Sequence, residues 1–231
     1  MHYQWDFSLV WHNIPVLLKG LGVTLELWLL AGVLGTALGL VLGLFRVFGK
    51  RWLSLPARCF VEIFRNTPVL IQLIWFYYAF PVLVGLQFST FGAAALALTL
   101  YSTAYCTEIF RAGLQSIDHG QWEGAKALGM RHSVILRRVV LPQVLRNMLP
   151  ALTNRMIELA KVTSLASILA VNELMYQGRL LSSTYYRPLE ILTVVALLYF
   201  VLIWPGSYLA ARLERRFRST PSLTATQDCY E

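Results

Sequence analysis

The chain has 231 residues, of which 57% are hydrophobic and only 14% charged. A soluble domain is about 25% charged, so this balance excludes a soluble globule, a disordered chain and a nucleic-acid module. The net charge of +8 has to be read by its position along the chain.

A membrane-spanning helix needs about 20 mostly apolar residues. Five segments meet that requirement: 20–45, 66–86, 88–107, 147–172 and 189–211. Residues 1–19 lack the basic start and apolar core of a cleavable signal peptide. They are expected outside the membrane, with the first span serving as an uncleaved targeting signal. Within that span Gly35, Gly39 and Gly43 repeat every four residues and form a smooth strip on one helix face. Such strips let two backbones approach closely in lipid, either for internal packing or as a moving seam. The second and third segments carry no charge. Gln72 in the second can bond a neighbouring helix or face a cavity, and Trp75, Tyr77 and Tyr78 mark a lipid interface or a cavity wall.

Between the third and fourth segments, Trp122, Ala125 and Leu128 recur every three residues. This predicts a short amphipathic helix stopped by Gly129. A second short helix is expected from Ser133, with Val134, Ile135, Val139 and Val140 as its apolar face and Pro142 as the next break. The fourth segment holds Arg155, Glu158 and Lys161, each three residues from the next and so on one sector of the helix. A charge at mid-bilayer costs about 2.5–3.5 kcal/mol even on the lenient insertion scale. Two readings follow: Glu158 neutralises Arg155 or Lys161, or the charges line a polar site. An amino acid presents one ammonium and one carboxylate, and Glu158 with Lys161, beside the Thr163 and Ser164 hydroxyls, offers an acceptor and a donor for them. Glu108 and Arg111 form a second acid–base pair, read as structural pairing or gate closure ahead of ligand contact. The fifth segment carries only Glu190, near its start, and the tail 218–231 is polar.

Cations fix the expected orientation. Arg46, Lys50, Arg51, Arg58 and Arg65 follow the first span; Lys126, Arg131, Arg137, Arg138 and Arg146 precede the fourth; Arg212, Arg215, Arg216 and Arg218 follow the fifth. These fourteen lie on one side, against Lys19, Arg179 and Arg187 on the other. The positive-inside rule places the fourteen in the cytoplasm, with the N-terminus outside and the C-terminus inside. Cys59, Cys106 and Cys229 make no disulfide framework, and the four histidines show no metal-ligand spacing. The closest approach to a nucleotide-binding loop, Gly43 to Gly49-Lys50, has five intervening residues and Arg51 where Ser or Thr is required. Energy must then come from a partner, from an ion gradient, or not at all.

Glu123-Gly124-Ala125, three residues, Gly129, nine residues, then Val139-Val140-Leu141-Pro142 resembles the EAA motif of ABC-importer permeases. Gly124 stands for the first alanine of that motif and Val139 for its isoleucine. Phe64-Arg65-Asn66-Thr67-Pro68, Glu108-Ile109-Phe110-Arg111-Ala112-Gly113, Leu141-Pro142-Gln143 and Lys161-Val162-Thr163-Ser164-Leu165 resemble the polar amino-acid branch, which handles histidine, arginine, lysine, glutamine, glutamate, aspartate and opines. Val162 departs from that branch, which carries aspartate there. The similarity spans residues 15–217.

The resemblance implies an all-α integral membrane fold of the type I, MetI-like kind, with five transmembrane helices and cytoplasmic coupling helices. It divides the chain into an external segment 1–19, a permease domain 20–217 with a coupling loop at 116–142, and a cytoplasmic tail 218–231. It implies a non-enzymatic subunit of a bacterial inner-membrane importer for a polar amino acid. Glu123, Gly124, Ala125, Gly129, Leu141 and Pro142 would couple it to the ATPase. Glu158, Lys161, Thr163, Ser164, Gln72, Glu108 and Arg111 are the candidate substrate contacts. Two ATP-binding subunits holding ATP and Mg, a second permease chain, identical or related, and an external binding protein are the implied partners, with no cofactor in this chain. The competing class is a gradient-driven transporter or channel subunit.

Overall fold

A computed structural model describes residues 5–217. The tail expected at 218–231, with Arg218 and Cys229, lies outside the described residues. Among the described residues the regular structure is helical throughout. Nine α-helices follow in order: α1 Ser8–Phe48, α2 Arg51–Asn66, α3 Val69–Val84, α4 Thr90–Gln115, α5 His119–Ala127, α6 His132–Ile135, α7 Leu141–Val162, α8 Leu174–Tyr185 and α9 Pro188–Phe217.

The centre of the bundle is α4. Its small residues, Ala93, Ala94, Ala97, Ser102 and Ala104 among them, are buried, so neighbouring helices come close on several sides. The longest of these contacts is with α1. A methyl group on Gly35 would sit 2.5 Å from the Ser102 Cβ, one on Gly39 2.5 Å from the Cys106 Cβ, and one on Gly43 2.8 Å from the Phe110 Cβ. The two helices therefore mesh at a common spacing of four, and the glycine strip is the packing seam of the bundle. Thr103 and Thr107 donate their hydroxyls to the carbonyls of Thr99 and Thr103, both at 2.7 Å. Polar side chains are thus satisfied inside the helix itself.

The structure revises the boundaries in four places. First, α1 begins at Ser8, twelve residues ahead of the apolar segment. At 1.5 Å per residue its 41 residues run about 60 Å, twice the hydrocarbon thickness. Second, the basic connection after α1 is itself a helix, α2, and it meets α3 at 108°. Pro68 disfavours helical backbone at Thr67 and starts the new helix. Third, the fourth segment leaves the α-helix after Val162 and continues as 3₁₀ helix over Thr163–Leu169. Fourth, Pro142 does not break the chain. Leu136–Val140 is π-helical, with the Leu141 N–H donating to the Leu136 carbonyl, and α7 follows without a turn. A proline is tolerated there because the first turn of the new helical register does not need its N–H.

Large apolar side chains face outward: Leu29, Val33, Val82, Phe200, Val201 and Trp204 are all exposed. An exposed apolar area of this extent needs a non-aqueous surrounding. Alone, α1 and α9 are long and apolar enough to cross a bilayer; the α2–α3 pair reaches that length only when its two helices are taken together, and it is bent by 108°. α4 and α7, expected as the third and fourth spans, hold more polar residues; α4 sits inside the bundle, while α7 buries one face, with Val144, Met148, Arg155 and Leu159.

Candidate translocation and coupling sites

The connection between α4 and α7 folds into a helix–turn–helix. The Asp118 carboxylate accepts from the Gly120 N–H at 2.6 Å and opens α5. Gly129 closes it with φ +72°, a left-handed conformation that favours glycine. The Gly129 N–H donates to the Lys126 carbonyl at 2.9 Å and the Met130 N–H to the Ala125 carbonyl at 3.2 Å. Ala125 is buried against Ile135 and Val140, and Trp122 stacks on His132 with ring centroids 5.5 Å apart. Ile135 and Val140 carry the buried face of the second helix, with Val134 and Val139 half-buried.

Leu128 departs from the expected face. It caps α5 after the last helical residue and points outward, 82% exposed. The three-residue period fails because the helix ends one residue short of it. Glu123 and Lys126 are also exposed, and Leu141 is 45% exposed. A methyl group on Gly124 would meet open space, so either glycine or alanine fits there. The result is a small module whose inner face is clamped to the bundle and whose outward residues include Leu128, Glu123 and Lys126.

The charges of α7 are arranged around Arg155. This residue is 3% exposed, and its Nη1 donates to the Glu158 carboxylate at 2.9 Å. Its guanidinium carbon lies 4.3 Å from the Tyr101 ring centroid and 4.1 Å from that of Tyr105. Desolvated cation–π contacts are worth about 2 kcal/mol, which offsets part of the cost of burying the charge. The Arg155 Nε and Nη2 are buried without a hydrogen-bond partner. Glu158 is half exposed and Lys161 is exposed. The observed pair is therefore Arg155–Glu158, and Lys161 stands apart from it. Thr163 is fully buried and donates to the Ala160 carbonyl at 2.8 Å; Ser164 donates to the Lys161 carbonyl at 2.8 Å. Both hydroxyls are turned back on their own helix.

Beside this cluster, a cavity of about 360 Å³ opens between α2, α4 and α7, lined by Arg65, Tyr105, Glu108, Ile109, Asn147 and Met148. The Arg65 guanidinium also lies over the Tyr105 ring, 5.4 Å from its centroid. Glu108 is held by two arginines: Arg46 of α1 at 2.5 Å and Arg111, which also reaches Gln115. The Arg46–Glu108 pair thus ties α4 to the end of α1, while Arg111 holds the same carboxylate from within α4. Gln72 is buried, and its amide donates to the carbonyls of Phe64 at 2.8 Å and Thr67 at 3.0 Å. It holds the α2–α3 elbow by taking up carbonyls left free where α2 ends.

Two features have only faint signals in the sequence. Tyr101 and Tyr105 are four residues apart on α4 and fifty residues from the arginine they cover. Glu173 is fully buried at the start of α8, accepting from the Met175 and Tyr176 N–H groups at 2.9 and 2.7 Å and from the Tyr199 hydroxyl at 2.8 Å. An acidic residue just ahead of a helical stretch is its only mark in the sequence.

A buried charge cluster and a cavity inside an outwardly apolar helical bundle, joined to a protruding helix–turn–helix, define an integral-membrane transport subunit. The chain belongs to the family described as binding-protein-dependent transport system inner membrane component, whose model matches residues 35–219. It is 35% identical to the arginine transport system permease protein ArtQ of Bacillus subtilis over 93% of this chain and 98% of that one. It is 37% identical to the glutamine transport system permease protein GlnP of Escherichia coli, over 93% and 99% of the two chains. Among solved structures, an amino acid ABC transporter superposes with a TM-score of 0.84 at 35% identity, covering 93% of this chain and all of that one. The MetNI methionine ABC transporter shares the fold, with a TM-score of 0.72 at 23% identity, covering 89% of this chain and 97% of that one. The family expected from the EAA-like loop and the all-helical, MetI-like fold class are both borne out.

Proposed function

We propose that this chain is the permease subunit of an ATP-driven importer of a polar amino acid. The observation that carries the proposal is identity along nearly the whole chain to permeases named for arginine and glutamine. In this reading two permease chains enclose the pathway, two ATP-binding subunits dock below, and an external binding protein delivers substrate. ATP and Mg bind the partner subunits. Glu123, Gly124, Ala125, Gly129, Leu141 and Pro142 form or shape the docking module, and the exposed Leu128 is its apolar contact. The fourteen-to-three distribution of cations supports a cytoplasmic loop and tail and an external N-terminus.

For the substrate, opposite charges on one helix suit the ammonium and carboxylate of an amino acid. Glu158 and Lys161 face outward from α7, where a second permease chain would meet them, and the unpartnered nitrogens of Arg155 add a donor for a carboxylate. Gln72, Glu108 and Arg111 serve this pathway by fixing the α2–α3 elbow and the inner end of α4. Thr163 and Ser164 reach a substrate only if their hydroxyls leave the helix carbonyls.

Co-expression with a partner ATPase and the external binding protein tests the assignment. A stable complex retained through purification is the expected result, and a permease that purifies without an ATPase overturns it. Cysteine introduced at Leu180 should react with a membrane-impermeant thiol reagent on intact cells. Labelling only after the membrane is opened reverses the orientation.

A further inference from the structure

Helix α2 contributes Arg65 to the cavity wall and is otherwise unused by the pathway or the coupling module. Its sixteen residues divide into three sectors at 3.6 residues per turn. Ala57 and Val61 are buried against the bundle. Trp52 and Ile63, 82% and 62% exposed, form an apolar stripe with the exposed Pro56. Arg51, Arg58 and Arg65 recur at seven-residue intervals along the remaining side, with Lys50 just ahead and a single carboxylate, Glu62, which accepts from the Asn66 amide at 3.1 Å, between Arg58 and Arg65. Lys50, Arg51 and Arg58 are exposed, and their side chains make no hydrogen bond or ion pair among the described residues.

Orientation comes from the elbow. α3 belongs to an uncharged segment and exposes Ile71, Trp75 and Tyr78. A bend of 108°, held by the Gln72 amide, sets α2 close to perpendicular to it. A helix nearly perpendicular to an adjoining span runs along the bilayer surface. There an apolar stripe sinks into the acyl boundary, a tryptophan sits at headgroup level and cations meet phosphates.

We propose that α2 is an interfacial helix and that Lys50, Arg51 and Arg58 bind the phosphates of anionic phospholipids. A second copy of the chain is a poorer occupant. A symmetric contact would set the same patch against itself and bring its arginines together, and like charges juxtaposed at an interface are unfavourable.

The test uses the purified permease–ATPase complex in nanodiscs of mixed phosphatidylcholine and phosphatidylglycerol, with one lipid at a time carrying brominated chains that quench tryptophan. The difference between the wild type and Trp52→Phe isolates the Trp52 signal. Brominated phosphatidylglycerol should quench Trp52 more than an equal proportion of brominated phosphatidylcholine. The triple variant Lys50→Gln/Arg51→Gln/Arg58→Gln should lose this preference, by about fivefold for each cation near the surface, and still be quenched by both lipids. Arg51→Lys/Arg58→Lys should keep the preference, which separates a charge effect from misfolding. Equal quenching by the two lipids in the wild type overturns the headgroup claim. No quenching by either means that protein covers Trp52, and overturns the interfacial placement.

Discussion

Leu128→Ala isolates docking from folding. The side chain is 82% exposed in the free chain, so truncation should shift the stability of the bundle by no more than about 0.5 kcal/mol. In the complex the same side chain is expected to be buried in a groove of the ATPase. Cutting isobutyl to methyl removes about 2 kcal/mol of apolar burial, at roughly 0.8 kcal/mol per carbon. Affinity for the ATPase should therefore fall about thirtyfold, since 1.4 kcal/mol is tenfold. Biolayer interferometry with immobilised permease and titrated ATPase reads this directly. Ala125→Leu is the contrasting variant. Ala125 is 6% exposed between the two short helices, and overpacking there costs about 1–3 kcal/mol of fold stability. It should lower the unfolding temperature, which Leu128→Ala should not. Unchanged ATPase affinity for Leu128→Ala would refute the assignment of the outer face.

Three further outcomes are expected. Gly39→Ala places a methyl 2.5 Å from the Cys106 Cβ and 3.0 Å from the Thr107 nitrogen, so it should destabilise the α1–α4 seam by about 1–3 kcal/mol; an unchanged unfolding temperature contradicts that seam. Gly129→Ala forces a side chain into φ +72° and should cost about 1–2 kcal/mol, whereas Gly124→Ala meets open space and should retain uptake; equal behaviour of the two contradicts the turn geometry. Glu158→Gln and Lys161→Met should each reduce uptake about tenfold or more, the loss of a hydrogen bond to a charged group, with the complex still assembled, and full uptake by the double variant rejects this pair as a substrate site.

Where local pattern and packing agree, the fold is legible from sequence. Gly35, Gly39 and Gly43 announce a close helix contact, and the structure supplies the partner positions Ser102, Cys106 and Phe110 at the same spacing. The turn at Gly129 is equally plain, because only its backbone conformation matters. Three features are not readable this way. The cations of α2 make it resemble a connecting loop, while its helical period emerges only when buried Ala57 and Val61 are seen. Pro142 reads as a break, and the π-helical stretch that absorbs it leaves no mark in the composition. The pairing of Arg155 with Glu158 was one of several local choices. What settles it is the Tyr101–Tyr105 pair on a different helix, which receives the guanidinium and leaves Lys161 outside.

The source of energy for transport is the central claim, and one measurement addresses it. Proteoliposomes holding this chain with its ATPase are supplied with binding protein and labelled arginine or glutamine, with ATP inside and ionophores collapsing every ion gradient. Accumulation that depends on internal ATP and on the binding protein is the predicted result. Accumulation that disappears with the gradients, and is indifferent to ATP, contradicts it.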